Sequence, residues 1–338
     1  MTEKIALIYN PSAGGGKAQR RQGRVEACLE AKGIRYDLFI TESEAHLVET
    51  AEIVAQRYPV ILGAGGDTTL NIIATQILRN GKKNVLGIIS LGSVNDLARE
   101  IGVHRLEKAA NAIKYRQTRE FDVGVVRVPK QSQPYYFLVS ASLGLGVEVN
   151  RYVDIWMRKH PFFATFRSTT QGTAAMSAIH QAFKNKHVPL ELTLECNGDR
   201  HTIVTALLIF GNISSYGGTF RLSPTASPVS GKLDCCIFDF NSLAGVARVS
   251  LDIKRQKHLE KNTVKVLQGV TFKIHSQKPL DFQLDGEIIT LDGEVEIAIL
   301  PKVLTMFTFD CFPGETSPGG KKLTRQRGNR KWGKKAAI

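Results

Sequence analysis

Three glycine-rich segments could bind phosphate, because each follows a strand-like apolar stretch and precedes a helix-like one. They are Asn10–Lys17, Gly63–Asn71 and Leu91–Arg99. Glycine lets backbone N–H groups approach phosphate oxygens closely, and a helix N-terminus favours negative charge. The first segment lacks the spacing of a Walker A loop. Each segment alone is also typical of a tight turn, but three at successive strands of one sheet would converge on one crevice.

Acidic side chains accompany these segments. Asp67 follows two glycines, and Asp96 lies where the third helix should begin. A carboxylate at such a position either caps the helix or orients Mg²⁺ and phosphates, since hard cations prefer carboxylate oxygens. Further along, Asp285-Gly286-Glu287 is typical of a β-turn, but it also offers a general base for an alcohol substrate. The residues alone leave both interpretations open.

The elements that would position these residues change character near residue 120. Up to that point strand-like and helix-like segments alternate, which predicts a parallel sheet flanked by helices with its ligand at the carboxyl ends of the strands. Beyond it, most segments alternate in the manner of antiparallel strands. Those expected to form one strand each include 201–211, 264–276, 295–300 and 304–310. We therefore predict an N-terminal parallel α/β nucleotide-binding domain (1–120) and a C-terminal antiparallel β-sandwich-like domain (121–312). The second would contain a helical insert (147–186) and precede a basic flexible tail (313–338).

The composition of the chain favours a globular protein and argues against several other classes. The chain has 338 residues, 43% hydrophobic and 22% charged, which suits one or two globular domains. Its five cysteines show no C-x-x-C spacing, which argues against a zinc ribbon and against a disulfide framework. Neither a signal-peptide pattern nor an apolar run of about 18 residues is present in the sequence. We expect a cytoplasmic location.

Positive charge is concentrated at the C-terminal end. The formal net charge is +14, and the residues after Pro318 include eight Lys and Arg with no acid, which leaves +6 for the rest. Such a tail could attract anionic lipid headgroups, or act as a solubilising tail that touches nucleic acid weakly. The aromatic stretch Trp156–Phe166 could likewise face lipid or belong to the core. We predict peripheral membrane attachment and no specific nucleic-acid partner.

The ordered motifs resemble the catalytic domain of the diacylglycerol kinase family, in particular its YegS-like bacterial lipid kinases. The resemblance begins with the three glycine segments described above. It continues through Gly144–Gly146, Asn212, Tyr216–Gly218, Pro224–Ala226, Gly231–Asp234 and Leu284–Glu287. It implies a two-domain fold shared more distantly with NAD kinases, ATP bound between the domains as co-substrate, and Mg²⁺ as cofactor.

The resemblance also implies roles for individual residues. The ATP-binding set would be Asn10, Pro11, Ser12, Ala13, Gly14, Thr41, Gly65, Gly66, Asp67, Thr68, Thr69, Leu70, Asn71 and Ser93. Asp67, Asp96 and Asp122 would form the Mg²⁺ network. Glu287, with Asp285 beside it, matches the position of the family's general base. The acceptor would be a lipid alcohol, with diacylglycerol leading and sphingoid bases, ceramide and phosphatidylglycerol left open.

Among the positions that depart from the family pattern, two bear on backbone strain and on metal binding. Thr68 stands where the family has glycine, and a threonine with positive φ would be strained. Ser230 precedes Gly231 where many bacterial members have aspartate, which puts a structural Mg²⁺ there in doubt because serine is a weak ligand for a hard cation.

The alternatives are an NAD-kinase-like enzyme with a soluble acceptor and a catalytically silent lipid-binding or scaffold protein. The sequence leaves open which lipid is used and whether the chain forms a homodimer.

Overall fold

The computed structural model describes residues 4–129, 131–159, 189–218, 220–240 and 242–309. Within these ranges the strands form a ten-stranded sheet and a six-stranded sheet. The aromatic stretch and most of the predicted insert, as well as the basic tail, lie outside the residues described in full.

The N-terminal part of the first sheet is parallel. Its strands are β1 (Ile5–Tyr9), β2 (Asp37–Ile40), β3 (Val60–Gly65) and β4 (Val85–Ser90), in the order β2-β1-β3-β4. Every residue of β1 and β3 is buried, as expected for parallel strands covered by helices on both faces. The helices are α1 (Gln22–Ala31), α2 (Glu44–Arg57), α3 (Asp67–Asn80), α4 (Asp96–Glu100) and α5 (Leu106–Lys114).

Local signals set the helix ends. The Ser43 hydroxyl accepts a hydrogen bond from the His46 N–H and caps the start of α2. Gly81, with φ +69°, ends α3 in the left-handed conformation that glycine adopts without strain. A short 3₁₀ turn, Gln19–Arg21, leads into α1.

C-terminal strands extend the first sheet. They are β5 (Thr118–Arg127), β6 (Tyr135–Phe137), β8 (Leu190–Cys196), β9 (Asp199–Thr205), β13 (Thr271–His275) and β16 (Glu294–Phe307). The long strand β16 joins the two halves, because it pairs parallel with β4 and antiparallel with β5 and β13. One continuous sheet therefore crosses the predicted boundary at residue 120, and the division into domains stays a prediction.

The second sheet is antiparallel throughout, in the order β12-β11-β10-β7-β14-β15. Its strands are β7 (Ser140–Gly144), β10 (Leu207–Gly211), β11 (Leu233–Phe238), β12 (Val264–Gly269), β14 (Leu280–Leu284) and β15 (Glu287–Leu291). Its inner face packs on the first sheet, where the rings of Phe210 and Phe272 meet edge to face at 5.2 Å. The predicted fold class, a parallel α/β part followed by a β-sandwich-like part, is confirmed.

Several predicted element boundaries were wrong. The segments 201–211 and 264–276 each looked like one strand, but each is broken at a residue where the chain passes between sheets, Ala206 and Val270. The segment 295–300 and the residues Leu304–Phe307 of the next segment instead form one strand, β16, with a register shift between Leu300 and Leu304. Periodicity alone does not distinguish these cases, because both keep alternating side chains.

Two helices flank the second sheet. Helix α6 (Leu145–Lys159) follows β7 and falls in the predicted insert. Helix α7 (Leu243–Lys254), capped by Ser242, was not predicted and precedes a 3₁₀ turn, His258–Glu260. In the part of the chain that the structure describes, no helix is long and apolar enough to cross a membrane.

Candidate functional site

The three glycine segments meet at the carboxyl ends of the parallel strands. The Gly65 carbonyl accepts hydrogen bonds from the N–H groups of Leu91 and Gly92, at 2.8 and 3.1 Å. A Cβ atom on Gly92 would lie 2.5 Å from the Gly66 Cα, and one on Gly14 would lie 2.6 Å from the Leu91 carbonyl oxygen. Only glycine permits these approaches. We call the loops Asn10–Gly16, Gly65–Asp67 and Leu91–Asn95 the glycine-loop cradle.

Asn10 fixes the first of these loops. Its Nδ2 donates to Thr69 Oγ1 at 3.0 Å, and its Oδ1 accepts from the Ser12 N–H at 3.0 Å. The loop is thereby attached to the first turn of α3. Ser93, in the third loop, is half-buried. These predicted residues are brought together in one place.

Other predicted nucleotide-binding side chains are occupied within the protein. Leu70 is fully buried in the core. The Thr41 hydroxyl donates to the carbonyl at the end of β1 at 3.3 Å. Asn71 Nδ2 donates to the Tyr136 carbonyl and to Asp285 Oδ2, at 2.9 and 2.7 Å. These three residues shape the site rather than present free side chains to it.

Asp67 and Asp96 form a pair of neighbouring carboxylates beside the cradle. Asp67 Oδ2 accepts from the Asp96 N–H at 3.1 Å, while Asp67 Oδ1 is buried with no hydrogen-bond partner in the described residues. The Asp96 carboxylate accepts from the Gly218 N–H at 2.9 and 3.2 Å. Burial raises the pKa of Asp67. Burial and then the charge of Asp67 raise the pKa of Asp96 to about 7.

This pair fits a hydrated Mg²⁺ ion, which typically uses one or two protein carboxylates and keeps several waters. A cation would give the Asp67 Oδ1 a partner and offset the repulsion between the two carboxylates. Across the described ranges, no group of three His, Cys, Asp or Glu side chains is placed to hold a metal.

Asp122 is engaged elsewhere. Its Oδ2 accepts from the Gly231 N–H at 2.6 Å and its Oδ1 from the Lys302 N–H at 2.9 Å. Its place in the predicted Mg²⁺ network with Asp67 and Asp96 stays a prediction. Asp122 fixes two loops.

Asp285 joins three parts of the fold. Its Oδ1 accepts from the N–H groups of Val139 and Ser140, each at 2.9 Å, and its Oδ2 from the Leu138 N–H at 2.5 Å and from Asn71 Nδ2 at 2.7 Å. We call this arrangement the Asp285 junction. Burial raises the pKa of Asp285 to about 6, although these hydrogen bonds favour the ionised form. A carboxylate accepts about four hydrogen bonds, so the acceptor positions of Asp285 are used within the protein and none is left for a substrate hydroxyl.

Thr68 also contacts this junction. It lies within α3, and its φ is not positive. The backbone strain considered for Thr68 from the sequence is therefore absent. Its Oγ1 lies 3.5 Å from the Asp285 carbonyl oxygen, and a Cβ atom on Gly286 would lie 3.3 Å from that hydroxyl. The first turn of α3 is thus packed against the β14–β15 turn.

Glu287 is the first residue of β15, immediately after that turn. It is exposed, and among the described residues its carboxylate has no hydrogen-bond partner. Partial burial of the carboxyl raises the pKa of Glu287, and the charges of Glu44 and Asp285 raise it further. Sequence reasoning missed Glu44. The only available signal was its position in the first turn of α2, after a strand of the parallel sheet.

Ser230 stabilises the loop in which the sequence differs from the family. Its hydroxyl lies 2.8 Å from the Ser227 carbonyl oxygen and 3.1 Å from that of Lys232. The side chain thus links carbonyl groups within the loop itself.

Two family models match this chain. The diacylglycerol kinase catalytic domain matches residues 4–126, and the YegS C-terminal NAD kinase beta sandwich-like domain matches residues 140–308, half of the chain. The chain belongs to the YegS-like diacylglycerol kinase family. Together the two matches cover both the cradle and the β14–β15 turn of this family member.

Individual relatives agree with this assignment. A diacylglycerol kinase from Bacillus subtilis is 24% identical over 288 residues, covering 84% of this chain and 90% of that protein. One from Staphylococcus carnosus is 22% identical over 289 residues, covering 85% and 89%. The crystal structure of a diacylglycerol kinase from Bacillus anthracis superposes with a TM-score of 0.66 at 18% identity, covering 94% of this chain and 98% of that one. At this identity the structural likeness concerns the fold.

Proposed function

We propose that this protein is an ATP-dependent lipid kinase that transfers the γ-phosphate to the hydroxyl of a lipid alcohol, with diacylglycerol as the leading substrate. The observation that carries the proposal is the position of Glu287. Its carboxylate is unpartnered within the described ranges, and its turn is fixed to the same end of α3 that completes the cradle. Family membership and the names of the relatives support it.

The cradle would bind the phosphates of ATP. Its glycines let the three loops lie close together without side chains between them, and the N-terminus of α3 favours negative charge. Asp67 and Asp96 would hold Mg²⁺, which when bound neutralises charge that develops on the phosphate oxygens. Asn10 keeps the first loop in contact with α3.

Glu287 would act as the general base. As the lipid oxygen attacks the γ-phosphorus and the bond to the β-phosphate oxygen breaks, the proton of the lipid hydroxyl moves to the Glu287 carboxylate. The products are a phosphorylated lipid and ADP. A raised pKa makes this carboxylate a stronger base than an ordinary glutamate, and the Asp285 junction holds its turn in place.

The test is transfer of labelled γ-phosphate from Mg–ATP to mixed micelles that contain a panel of lipid alcohols. Wild type is compared with Asp67→Ala and Glu287→Gln, and with Glu52→Gln, an exposed change on α2, as the matched control. We expect one lipid class to be labelled by wild type and control and by neither site variant. Wild-type turnover in Glu287→Gln would refute the assigned base. ATP binding without labelling of any lipid would favour a silent lipid-binding protein.

Peripheral membrane attachment is a separate part of the proposal, and it rests on the basic tail of the sequence. Binding to anionic liposomes should weaken as salt is added, because surface charges are screened beyond about 10 Å at 0.1 M salt. Salt-insensitive binding, or no binding, would contradict it.

A further inference from the structure

A polar cluster lies on the outer face of the second sheet, close to the turn that carries Glu287. Its centre is Gln283, the next-to-last residue of β14, which is 8% exposed. Gln283 Oε1 accepts from the Tyr216 hydroxyl at 2.8 Å and from the Ser142 hydroxyl at 3.3 Å. The carbonyl end of this amide is therefore fixed by two donors.

The other end of the amide is free. Gln283 Nε2 has no hydrogen-bond partner among the described residues, and it is not one of their fully enclosed polar atoms. Burial raises the pKa of Tyr216, and the charges of Asp96 and Asp285 raise it further, so the phenol keeps the proton that it donates. The amide group is thus held with its N–H₂ directed away from the two hydroxyls.

A glycine keeps space open beside this cluster. A Cβ atom on Gly146, in the first turn of α6, would lie 3.2 Å from Leu207 Cδ1, 3.4 Å from Ser142 Oγ and 3.8 Å from Tyr216 Oη. A larger side chain at Gly146 would cover the two hydroxyls that orient the amide.

The cluster lies between the two parts of the proposed active site, the Asp67–Asp96 pair and the turn that carries Glu287. Tyr216 is close enough to both Asp96 and Asp285 to be influenced by their charges. Its chain segment also reaches the cradle, because the Gly218 N–H donates to Asp96. On the other side, β14 leads directly into the turn that precedes Glu287.

The groups around Gln283 indicate which kind of ligand atom could bind to its N–H₂. An amide N–H₂ needs an acceptor oxygen, and the nearby carboxylates of Asp96 and Asp285 disfavour an anionic one. We propose that Gln283 Nε2 donates a hydrogen bond to the ester carbonyl of an acylated lipid alcohol whose hydroxyl Glu287 deprotonates. The inference rests on the proposed lipid kinase activity and assigns a part of the acceptor that the site recognises. An ammonium group cannot accept this hydrogen bond, and an ether oxygen accepts it poorly.

The experiment compares a short-chain diacylglycerol with the dialkyl ether glycerol of equal chain length, both in mixed micelles. Wild type should phosphorylate the ester with a kcat/KM about 10-fold higher, as expected for one hydrogen bond to a buried group. In Gln283→Leu the ester should fall to the level of the ether, while the rate with the ether and the KM for ATP stay unchanged. Gln56→Leu, on the exposed face of α2, is the matched control and should keep the preference.

The outcomes separate this inference from the proposed function. Equal wild-type rates with ester and ether, or a preference that survives in Gln283→Leu, would overturn the inference and leave the kinase intact. Failure of wild type to phosphorylate any lipid would overturn both. Where Gln283→Leu does not fold, Gly146→Ala takes its place, because the added Cβ atom crowds the hydroxyls that orient the amide and should lower the rate with the ester more than the rate with the ether. An unchanged preference in that variant would overturn the inference.

Discussion

The Asp285 junction and the glycine-loop cradle both contain buried carboxylates, but their hydrogen bonding differs. At the junction, Asp285 accepts three backbone N–H groups and the amide of Asn71. At the cradle, the Asp67 Oδ1 has no hydrogen-bond partner in the described part of the chain. Glu287, two residues after Asp285, resembles Asp67 in this respect.

This difference distinguishes carboxylates that hold backbone segments in place from carboxylates that are available for the proposed reaction. A carboxylate whose lone pairs are all used holds backbone segments together, whereas one with a free oxygen can bind a cation or accept a proton. Asp122 is intermediate by this criterion, since each of its oxygens accepts a hydrogen bond from one loop N–H group.

The largest effect on stability is expected from Asp285→Ala. The change leaves three backbone N–H groups and the Asn71 amide without their acceptor, which should lower the free energy of unfolding by about 3 kcal/mol. Urea unfolding measures the loss, and Glu287→Ala is the control, which should stay within about 0.5 kcal/mol of wild type. Equal stability of the two variants would contradict the positioning role.

The same junction should make stability depend on pH. The folded-state pKa of Asp285 is about 6 against an ordinary value of 3.8, so between these values the folded protein holds a proton that the unfolded chain has lost. Its contribution to stability is complete below the ordinary pKa and is lost as pH rises through about 6, with a slope of at most about 1.4 kcal/mol per pH unit. Unfolding measured from pH 4 to 7 should show a flatter profile in Asp285→Ala.

The cradle can be tested with two glycines of similar backbone conformation. Gly14 and Gly81 have φ of +63° and +69°, but a Cβ atom would meet the Leu91 carbonyl only at Gly14. Alanine at Gly81 should cost about 1 kcal/mol of stability through strain alone. Alanine at Gly14 should cost more and should also raise the KM for ATP. Equal effects of both substitutions on this KM would show that close packing of the loops is unimportant.

The smallest effect is expected at Glu44. Its negative charge helps to raise the pKa of Glu287, so Glu44→Gln should lower that pKa. The base must be ionised to accept a proton, and the acid limb of the pH profile of kcat/KM should therefore move to lower pH. Glu52→Gln, on the exposed face of the same helix, should leave the profile unchanged. A shift to higher pH would contradict the electrostatic link.

Much of the cradle could be predicted from local sequence. Glycines between an apolar strand and a helix report a backbone requirement, and Asp67 follows such a pair directly. The parallel order of β1, β3 and β4 likewise follows from alternating strands and helices. The cradle loops and the parallel strand order both depend on residues that are close together in the sequence.

The junction could not be predicted in this way. Asp285 meets Asn71 across more than two hundred residues of chain, and no local pattern indicates that its oxygens are all used. The cluster around Gln283 depends on three segments brought together by the second sheet and its loops. The breaks at Ala206 and Val270 were missed because a strand that changes sheets keeps its alternation.

The roles of Glu287 and Asp285 are tested most directly by the single-turnover rate of phosphoryl transfer at saturating Mg–ATP for Glu287→Gln and Asp285→Asn, at a temperature where both are folded. We expect Glu287→Gln to keep wild-type stability and ATP affinity while its rate falls by about 10²–10⁴-fold, as for loss of a general base. We expect Asp285→Asn mainly to lose stability. A Glu287→Gln variant with wild-type rate, or an Asp285→Asn variant of full stability and no transfer, would contradict the division of roles between the two carboxylates.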